Sequence, residues 1–179
     1  MELGEILYDT IAVYGEQRIL SDIVQGESPD VIKDILEHCI SNIQKNETVS
    51  SETYGTAAEG LLHYLLTISL IPSKRKTLFQ SVDIDIAVPD TKTLGTDPHD
   101  VIVILFPKTD DVDIIKSKLK KIKEIQPNSN NIWVVLENNI PLDAKVYTLK
   151  GSMTFSNIIN DLISFSSNKK QSKLKIFKI

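Results

Sequence analysis

The sequence predicts an α/β fold in which a mixed sheet carries helices on both faces and two N-terminal helices precede it. The first observation is a change in apolar spacing, from helical before Pro72 to alternating after it. The second is a pair of strongly apolar segments, residues 101–106 and residues 132–136 within 131–137, typical of strands buried on both faces. An amphipathic helix predicted over residues 110–125 lies between these strands, and this order implies a mixed sheet.

Residues 1–50 are predicted to form an N-terminal helical extension of two helices. The apolar spacing of the first is interrupted near Gly15, and Gly26 ends it. Ser28 and Pro29 open the second, with Ser28 as its N-cap and Pro29 at its first helical position. Nothing in this extension indicates chemistry.

Residues 51–179 are predicted to form the α/β domain. Its helix begins near Thr56, because Thr56 and Glu59 have the spacing of a capping box, and it ends at Pro72. The other predicted elements are an extended segment over 77–88, a polar loop over 89–100, a strand over 144–149, a helix over 155–165 and a basic tail from 168 that is an edge strand or a frayed end.

The composition excludes several classes of protein. The chain has 179 residues and a single cysteine, Cys39, which excludes a disulfide framework and a cysteine-based zinc cluster. The residues after Met1 do not read as a signal peptide, and no apolar run approaches the ~20 residues that cross a bilayer. We therefore expect a cytoplasmic protein with no membrane partner.

The net charge of −4 conceals a gradient along the chain. Residues 1–60 carry a net charge of −9 and residues 61–179 a net charge of +5. Lys74, Arg75 and Lys76 are candidate nucleic-acid-binding residues, together with a lysine-rich helix and the basic tail. Because nearly all of these bases are Lys, we expect a DNA partner to be bound by its backbone and shape rather than by its sequence. The alternative is a solvated lysine surface.

Two acidic residues, Asp83 and Asp85, form the sharpest local motif. On a strand their side chains share one face, while Ile84 and Ile86 pack on the other. Two carboxylates roughly 7 Å apart repel each other, and Mg²⁺ or Mn²⁺ would relieve that repulsion. The alternative is a solvent-facing strand with two hydrated Asp side chains.

The order of elements over residues 53–137 resembles the PD-(D/E)XK nuclease superfamily, which includes archaeal Holliday-junction resolvases and restriction endonucleases. The resemblance implies a restriction-endonuclease-like core and a metal-dependent nuclease that acts on DNA. It also implies that Glu59 of the helix, Asp83 or Asp85 of the strand, and Lys108 meet around Mg²⁺. The metal would clamp the scissile phosphate and activate a water molecule, and Lys108 would stabilise the developing charge.

The chain departs from that pattern at one position. Two residues before Lys108 the family has an acid, whereas this chain has Phe106. The expectation is therefore either an active nuclease or a catalytically degenerate, DNA-binding relative. At single positions the alternatives are that Glu59 only caps its helix, and that Lys108 is a solvated loop residue.

Two further functions stay open. One is a protein-interaction module that uses the acidic N-terminal helices, with a homodimer as one form of it. The other is a minimal nucleotidyltransferase, since the Asp83 and Asp85 pair is similar to the metal-binding strand of that family. The Gly-Ser pair that precedes that strand in the family is absent here.

Overall fold

A computed structural model describes residues 2–45 and 47–176 of the chain, with side-chain burial described through residue 170. Within these residues, seven α-helices surround a five-stranded sheet with both parallel and antiparallel pairs. Helices pack on both faces of the sheet. The predicted α/β class, a mixed sheet with helices on both faces, is therefore confirmed. None of the described helices is both long enough and apolar enough to span a bilayer.

Three helices, rather than two, occupy the N-terminal region: α1 (Leu3–Tyr14), α2 (Glu16–Gln25) and α3 (Ser28–Gln44). Gly15 separates the first two with a φ of +79°, a conformation that an L side chain disfavours. The predicted N-cap role of Ser28 is wrong. Its hydroxyl is buried and donates to Oδ1 of Asn160 at 3.0 Å, while Glu27 occupies the cap position.

The next helix, α4 (Ser51–Ile68), begins five residues before the predicted start. Ser50 is its N-cap, with an extended backbone and an Oγ that accepts the amide hydrogen of Thr53. Thr53 completes the capping box, so the predicted box of Thr56 and Glu59 is wrong. Glu59 instead lies in the middle of the helix and is buried.

The five strands are β1 (Lys74–Phe79), β2 (Val82–Val88), β3 (Ile102–Leu105), β4 (Ile132–Leu136) and β5 (Lys145–Thr148), and they lie side by side in chain order. The β1–β2 and β2–β3 pairs are antiparallel, and the β3–β4 and β4–β5 pairs are parallel. Both predicted buried strands, β3 and β4, are buried at every position.

Three more helices complete the fold: α5 (Thr91–Thr96), α6 (Val112–Ile125) and α7 (Ile158–Ile176). Helix α5 lies within the segment predicted as a polar loop, and Asp90 caps it by accepting from the Thr93 amide. Helix α7 continues through the tail to Ile176, so the predicted edge strand or frayed end is wrong there. Residues 177–179 of the predicted tail lie outside the described residues.

The sheet separates two apolar cores. One lies against α1–α4 and α7, and the other lies against α6. Alternation along β3 and its flanks divides the side chains between them: residues 102, 104 and 106 face the first core, and residues 101, 103 and 105 face the second.

Strand β2 breaks this alternation at its centre. Ile84 packs in the core against α6, whereas Ile86 packs in the core against α4. The β1–β2 pairing omits Lys76 and Asp85, and Lys76 has a φ of +47°. The prediction that Ile84 and Ile86 share one face is therefore wrong, because the strand changes face at Asp85.

Candidate functional site

Glu59 is the centre of the candidate site. Its side chain is 1% exposed, yet both of its oxygens are paired with cations. Oε1 accepts from Nε of Arg75 on β1 at 2.9 Å, and Oε2 lies 2.6 Å from Nζ of Lys108, which follows β3. The side chains of the two cations are about one third exposed. Glu59 is therefore the buried partner in two salt bridges whose cations reach the surface.

These two cations set the charge state of Glu59. Burial alone would raise the pKa of this carboxyl group. Hydrogen bonds from Lys108 and Arg75, together with their positive charges, outweigh burial and hold the pKa of Glu59 below its usual value. Glu59 is therefore an anion at neutral pH, with its charge compensated on both oxygens.

Lys108 reaches Glu59 because α4 has no side chain at Gly55, one turn before Glu59. A Cβ atom on Gly55 would lie 2.9 Å from Cγ of Lys108 and 3.4 Å from its Cα. Lys108 also has a left-handed backbone, with a φ of +58°. Sequence reasoning missed Gly55. Its signal was a glycine inside a helix, which costs about 1 kcal/mol relative to Ala.

Asp85 lies where β2 and β3 stop pairing. Its Oδ2 accepts the amide hydrogen of Phe106 at 2.7 Å, beyond the last paired residues, Ile86 and Ile104. Burial raises the pKa of Asp85; the hydrogen bond from Phe106 opposes this, and the nearby charge of Glu59 adds to it. The net pKa of Asp85 is raised, so burial makes its charged form less favourable than it is in water.

Helix α6 brings a third cation to the site. Nζ of Lys118 lies 3.5 Å from the carbonyl oxygen of Pro107, and the charges of Lys118 and Lys108 both act to lower the pKa of Asp85. We call the resulting group of two acids and three bases the charge cluster; it consists of Glu59, Asp85, Arg75, Lys108 and Lys118.

The charge cluster includes most of the predicted site residues but not all of them. Glu59, Asp85 and Lys108 meet, as the resemblance implies. Asp83 is exposed, opposite Leu78 on β1, and within the described residues it has no hydrogen bond or ion pair to the cluster.

Phe106 occupies the position at which the resemblance calls for a metal-binding acid. Its side chain is 1% exposed and packs in the core against α4. The ring meets Phe155 edge to face, with centroids 6.4 Å apart. This position therefore supplies packing instead of a carboxylate.

The predicted Mg²⁺ or Mn²⁺ site stays a prediction, and in this arrangement the carboxylate oxygens that would hold the metal have other partners. Magnesium needs several oxygen ligands in near-octahedral geometry. Both oxygens of Glu59 are bound to cationic side chains, and one oxygen of Asp85 is bound to an amide. Across residues 2–45 and 47–176, no three His, Cys, Asp or Glu side chains are grouped as a metal would require.

The predicted nucleic-acid-binding residues divide into two sets. Lys74 and Lys76 are exposed on β1, at the edge of the sheet, whereas Arg75 turns inward to Glu59. Helix α6 exposes further lysines at positions 116, 118, 120 and 121. The chain thus presents cations on β1 and on α6, with Lys118 belonging to both α6 and the charge cluster.

The salt bridges within the charge cluster stabilise its arrangement. Because its three bases outnumber its two acids, the cluster also attracts anions. No family model, curated protein or solved structure matches the chain. The functional conclusion therefore depends on the residues of the charge cluster and of the surface.

Proposed function

We propose that this chain is a DNA-binding protein with a restriction-endonuclease-like core, in which the nuclease centre is replaced by the charge cluster. The observation that carries the proposal is the pairing of Glu59 with Lys108 and Arg75, next to Phe106 in the position of an expected acid. The protein binds DNA through phosphates and does not cleave it.

The order of the elements supports the core. Helix α4 with Glu59, strand β2 with Asp85 and strand β3 followed by Lys108 precede α6 and β4, in the order that the resemblance implies. They bring Glu59 and Lys108 within 2.6 Å of each other. Two residues that are 49 positions apart in the sequence therefore share one site.

The exposed lysines support the DNA partner. Lys74 and Lys76 have no carboxylate within 4.0 Å among the described residues, and neither have the four exposed lysines of α6. Unpaired lysines on a surface bind phosphates as point charges and release counterions from DNA. We therefore expect affinity for branched, duplex and single-stranded DNA that falls steeply with salt and depends little on base sequence.

The test is fluorescence anisotropy with labelled DNA of these three forms at several salt concentrations. We expect the Lys74→Glu, Lys76→Glu double variant to bind at least about tenfold more weakly and with a smaller salt slope. The matched control is Lys33→Glu with Lys45→Glu, which makes the same charge change on α3 and at its C-cap. Binding without salt dependence, or equal loss in both double variants, would contradict the proposal.

A cleavage assay separates this proposal from the alternatives. The same DNA is incubated with Mg²⁺ or Mn²⁺, using the wild type, Asp85→Asn and Asp83→Asn. We expect intact DNA in all three, and binding by the two variants that is no weaker than that of the wild type. Metal-dependent cleavage that Asp85→Asn abolishes would establish an active nuclease instead, and transfer of a nucleotide from ATP would establish a nucleotidyltransferase. Absence of DNA binding would leave the protein-interaction module.

A further inference from the structure

The hairpin formed by β1 and β2 has a strained backbone at its tip and at its middle. Gln80 and Ser81 form the two-residue turn between the strands, with φ values of +48° and +64°, and Lys76 of β1 has a φ of +47°. A left-handed backbone is unfavourable for these residues, because Cβ crowds the following carbonyl oxygen. Such strain persists mainly at functional sites, so we asked what the hairpin presents to a partner.

The outer half of the hairpin faces the same side of the sheet as the charge cluster. Ile86, opposite Arg75, packs in the core against α4, whereas Ile84 packs in the core against α6. Asp83 is next to Ile84 on β2 and lies opposite Leu78, so these two side chains face the α4 side, as Arg75 does. At most about 10 Å of strand separates Leu78 from Arg75. The face that carries the charge cluster therefore continues to the tip of the hairpin.

Leu78 is a large apolar side chain held in an exposed position. It is 65% exposed. The next residue, Phe79, packs against the core on the other face of the sheet. A Cβ atom on Gly95 of α5 would lie 3.3 Å from two carbon atoms of the Phe79 ring. This packing fixes the tip of the hairpin, so Leu78 would lose little further entropy when it contacts a partner.

The charges near Leu78 indicate the chemistry of that partner. The carboxylate of Asp83 is exposed directly opposite Leu78 and repels phosphates and acidic peptides, so the group that contacts Leu78 is neutral. The net positive charge cluster lies further along the same face and attracts anions. A neutral group within about 10 Å of an anion is the arrangement of base and phosphate in a nucleotide strand. Addition of a further β-strand is disfavoured, because Lys74 and Lys76 are exposed on β1 and the strand is kinked at Lys76.

We propose that Leu78 inserts between the bases of DNA beside an unpaired base, while Arg75 and Lys108 bind a phosphate of the same strand. This inference rests on the proposed DNA binding and adds a preference among DNA substrates. An apolar side chain that enters the base stack has to separate two bases, and this costs least where a base is already unpaired. Asp83 can then accept a hydrogen bond from the amino group of a cytosine.

Fluorescence anisotropy tests the preference with a matched duplex and the same duplex carrying one unpaired adenine. We expect the wild type to bind the second DNA about tenfold more tightly. Leu78→Ser should reduce this preference to about twofold or less and leave the salt slope unchanged, because leucine carries no charge. Leu78→Phe should retain the preference, since a larger apolar side chain also separates bases. Val24→Ser is the matched control, because Val24 is 85% exposed but lies on α2, away from the sheet.

A fluorescent adenine analogue placed beside the unpaired base reports on the insertion itself. Its emission should rise as the base unstacks when the wild type or Leu78→Phe binds, and it should stay unchanged with Leu78→Ser. Equal preference in the wild type and Leu78→Ser, or an equal loss in Val24→Ser, would overturn the insertion of Leu78 and leave the proposed DNA binding intact. A wild type that does not bind DNA in a salt-dependent way would overturn both.

Sedimentation velocity without DNA distinguishes a second copy of the chain as the partner of Leu78. We expect the wild type and Leu78→Ser to sediment alike at every protein concentration. A dimer that Leu78→Ser dissociates would assign Leu78 to a contact between copies, and it would overturn the proposal.

Discussion

Glu59 shows how one buried residue organises the charge cluster. It is 1% exposed on a helix whose other buried side chains are mostly apolar. A carboxylate buried alone would lose several kcal/mol of solvation free energy. Arg75 and Lys108 compensate that loss because each binds a different oxygen. The same pairing engages both oxygens of Glu59 with cationic side chains.

Glu59→Gln should lower the free energy of unfolding by about 1–3 kcal/mol at pH 7, because two partly buried cations lose their counter-charge. The pKa of Glu59 is lowered in the folded protein. The contribution of Glu59 to the free energy of unfolding is therefore complete above the pKa of a Glu side chain in the unfolded chain, about 4.3. It is lost as the pH falls through the pKa of Glu59 in the folded protein. Denaturant titrations of wild type and variant between pH 7 and 3 measure this difference.

The control for that prediction is Glu52→Gln, on the exposed surface of the same helix. It should change the free energy of unfolding by less than about 0.5 kcal/mol. A difference between wild type and Glu59→Gln that does not shrink below pH 4 would show that the ion pairs do not provide the stability.

At the scale of elements, the cluster depends on how closely α4 and the segment after β3 approach each other. Gly55 permits that approach, and the change of face in β2 brings Asp85 to the amide of Phe106. Both features depart from ideal element geometry: a glycine inside a helix and a strand whose alternation fails. Each places a charged group that a regular helix or strand would direct elsewhere.

Gly55→Ala should destabilise the protein by about 1–3 kcal/mol, because the new methyl group displaces Lys108 from Glu59. Gly4→Ala on α1 is the matched control, since nothing lies within 4 Å of its added Cβ. That change should stabilise by up to about 1 kcal/mol through helix propensity. Thermal unfolding measures both, and an equal gain in the two variants would mean that Gly55 has no role in positioning Lys108.

At the scale of the whole molecule, the N-terminal helices and the sheet share one core. Leu7 of α1 and Trp133 of β4 belong to the same buried cluster. A Cβ on Gly60 of α4 would lie 2.9 Å from Cδ2 of Leu7, which shows how closely α1 and α4 pack. The division of the chain at residue 50 stays a prediction, and its test is whether the two parts unfold together.

Leu7→Ala should lower the free energy of unfolding by about 2–5 kcal/mol, as for other buried leucines. Fluorescence of the single tryptophan, Trp133, reports on the sheet, and far-ultraviolet circular dichroism reports mainly on the helices. We expect both transitions to shift by the same amount and to coincide. Leu70→Ala is the control, since Leu70 is 87% exposed. Loss of helical signal before the tryptophan signal would show two independent units.

The sequence predicts the buried strands more fully than it predicts which charges, distant in the chain, meet in the fold. The buried runs that became β3 and β4 were visible because they are continuous and apolar. The meeting of Glu59 with Lys108 was implied only by the family resemblance. Arg75 was assigned to DNA together with Lys74 and Lys76, but its alternation along β1 turns it inward.

The amino-acid sequence alone determined the fold class, because apolar periodicity depends on local geometry that neighbouring residues share. It also determined the charge gradient and the absence of an acid at Phe106. The tertiary structure decided which charges meet: that Asp85 joins the cluster and Asp83 does not, and that Gly55 admits Lys108 to Glu59. The reason is physical, since contacts between residues far apart in sequence depend on how helices and strands pack and on where a strand changes face.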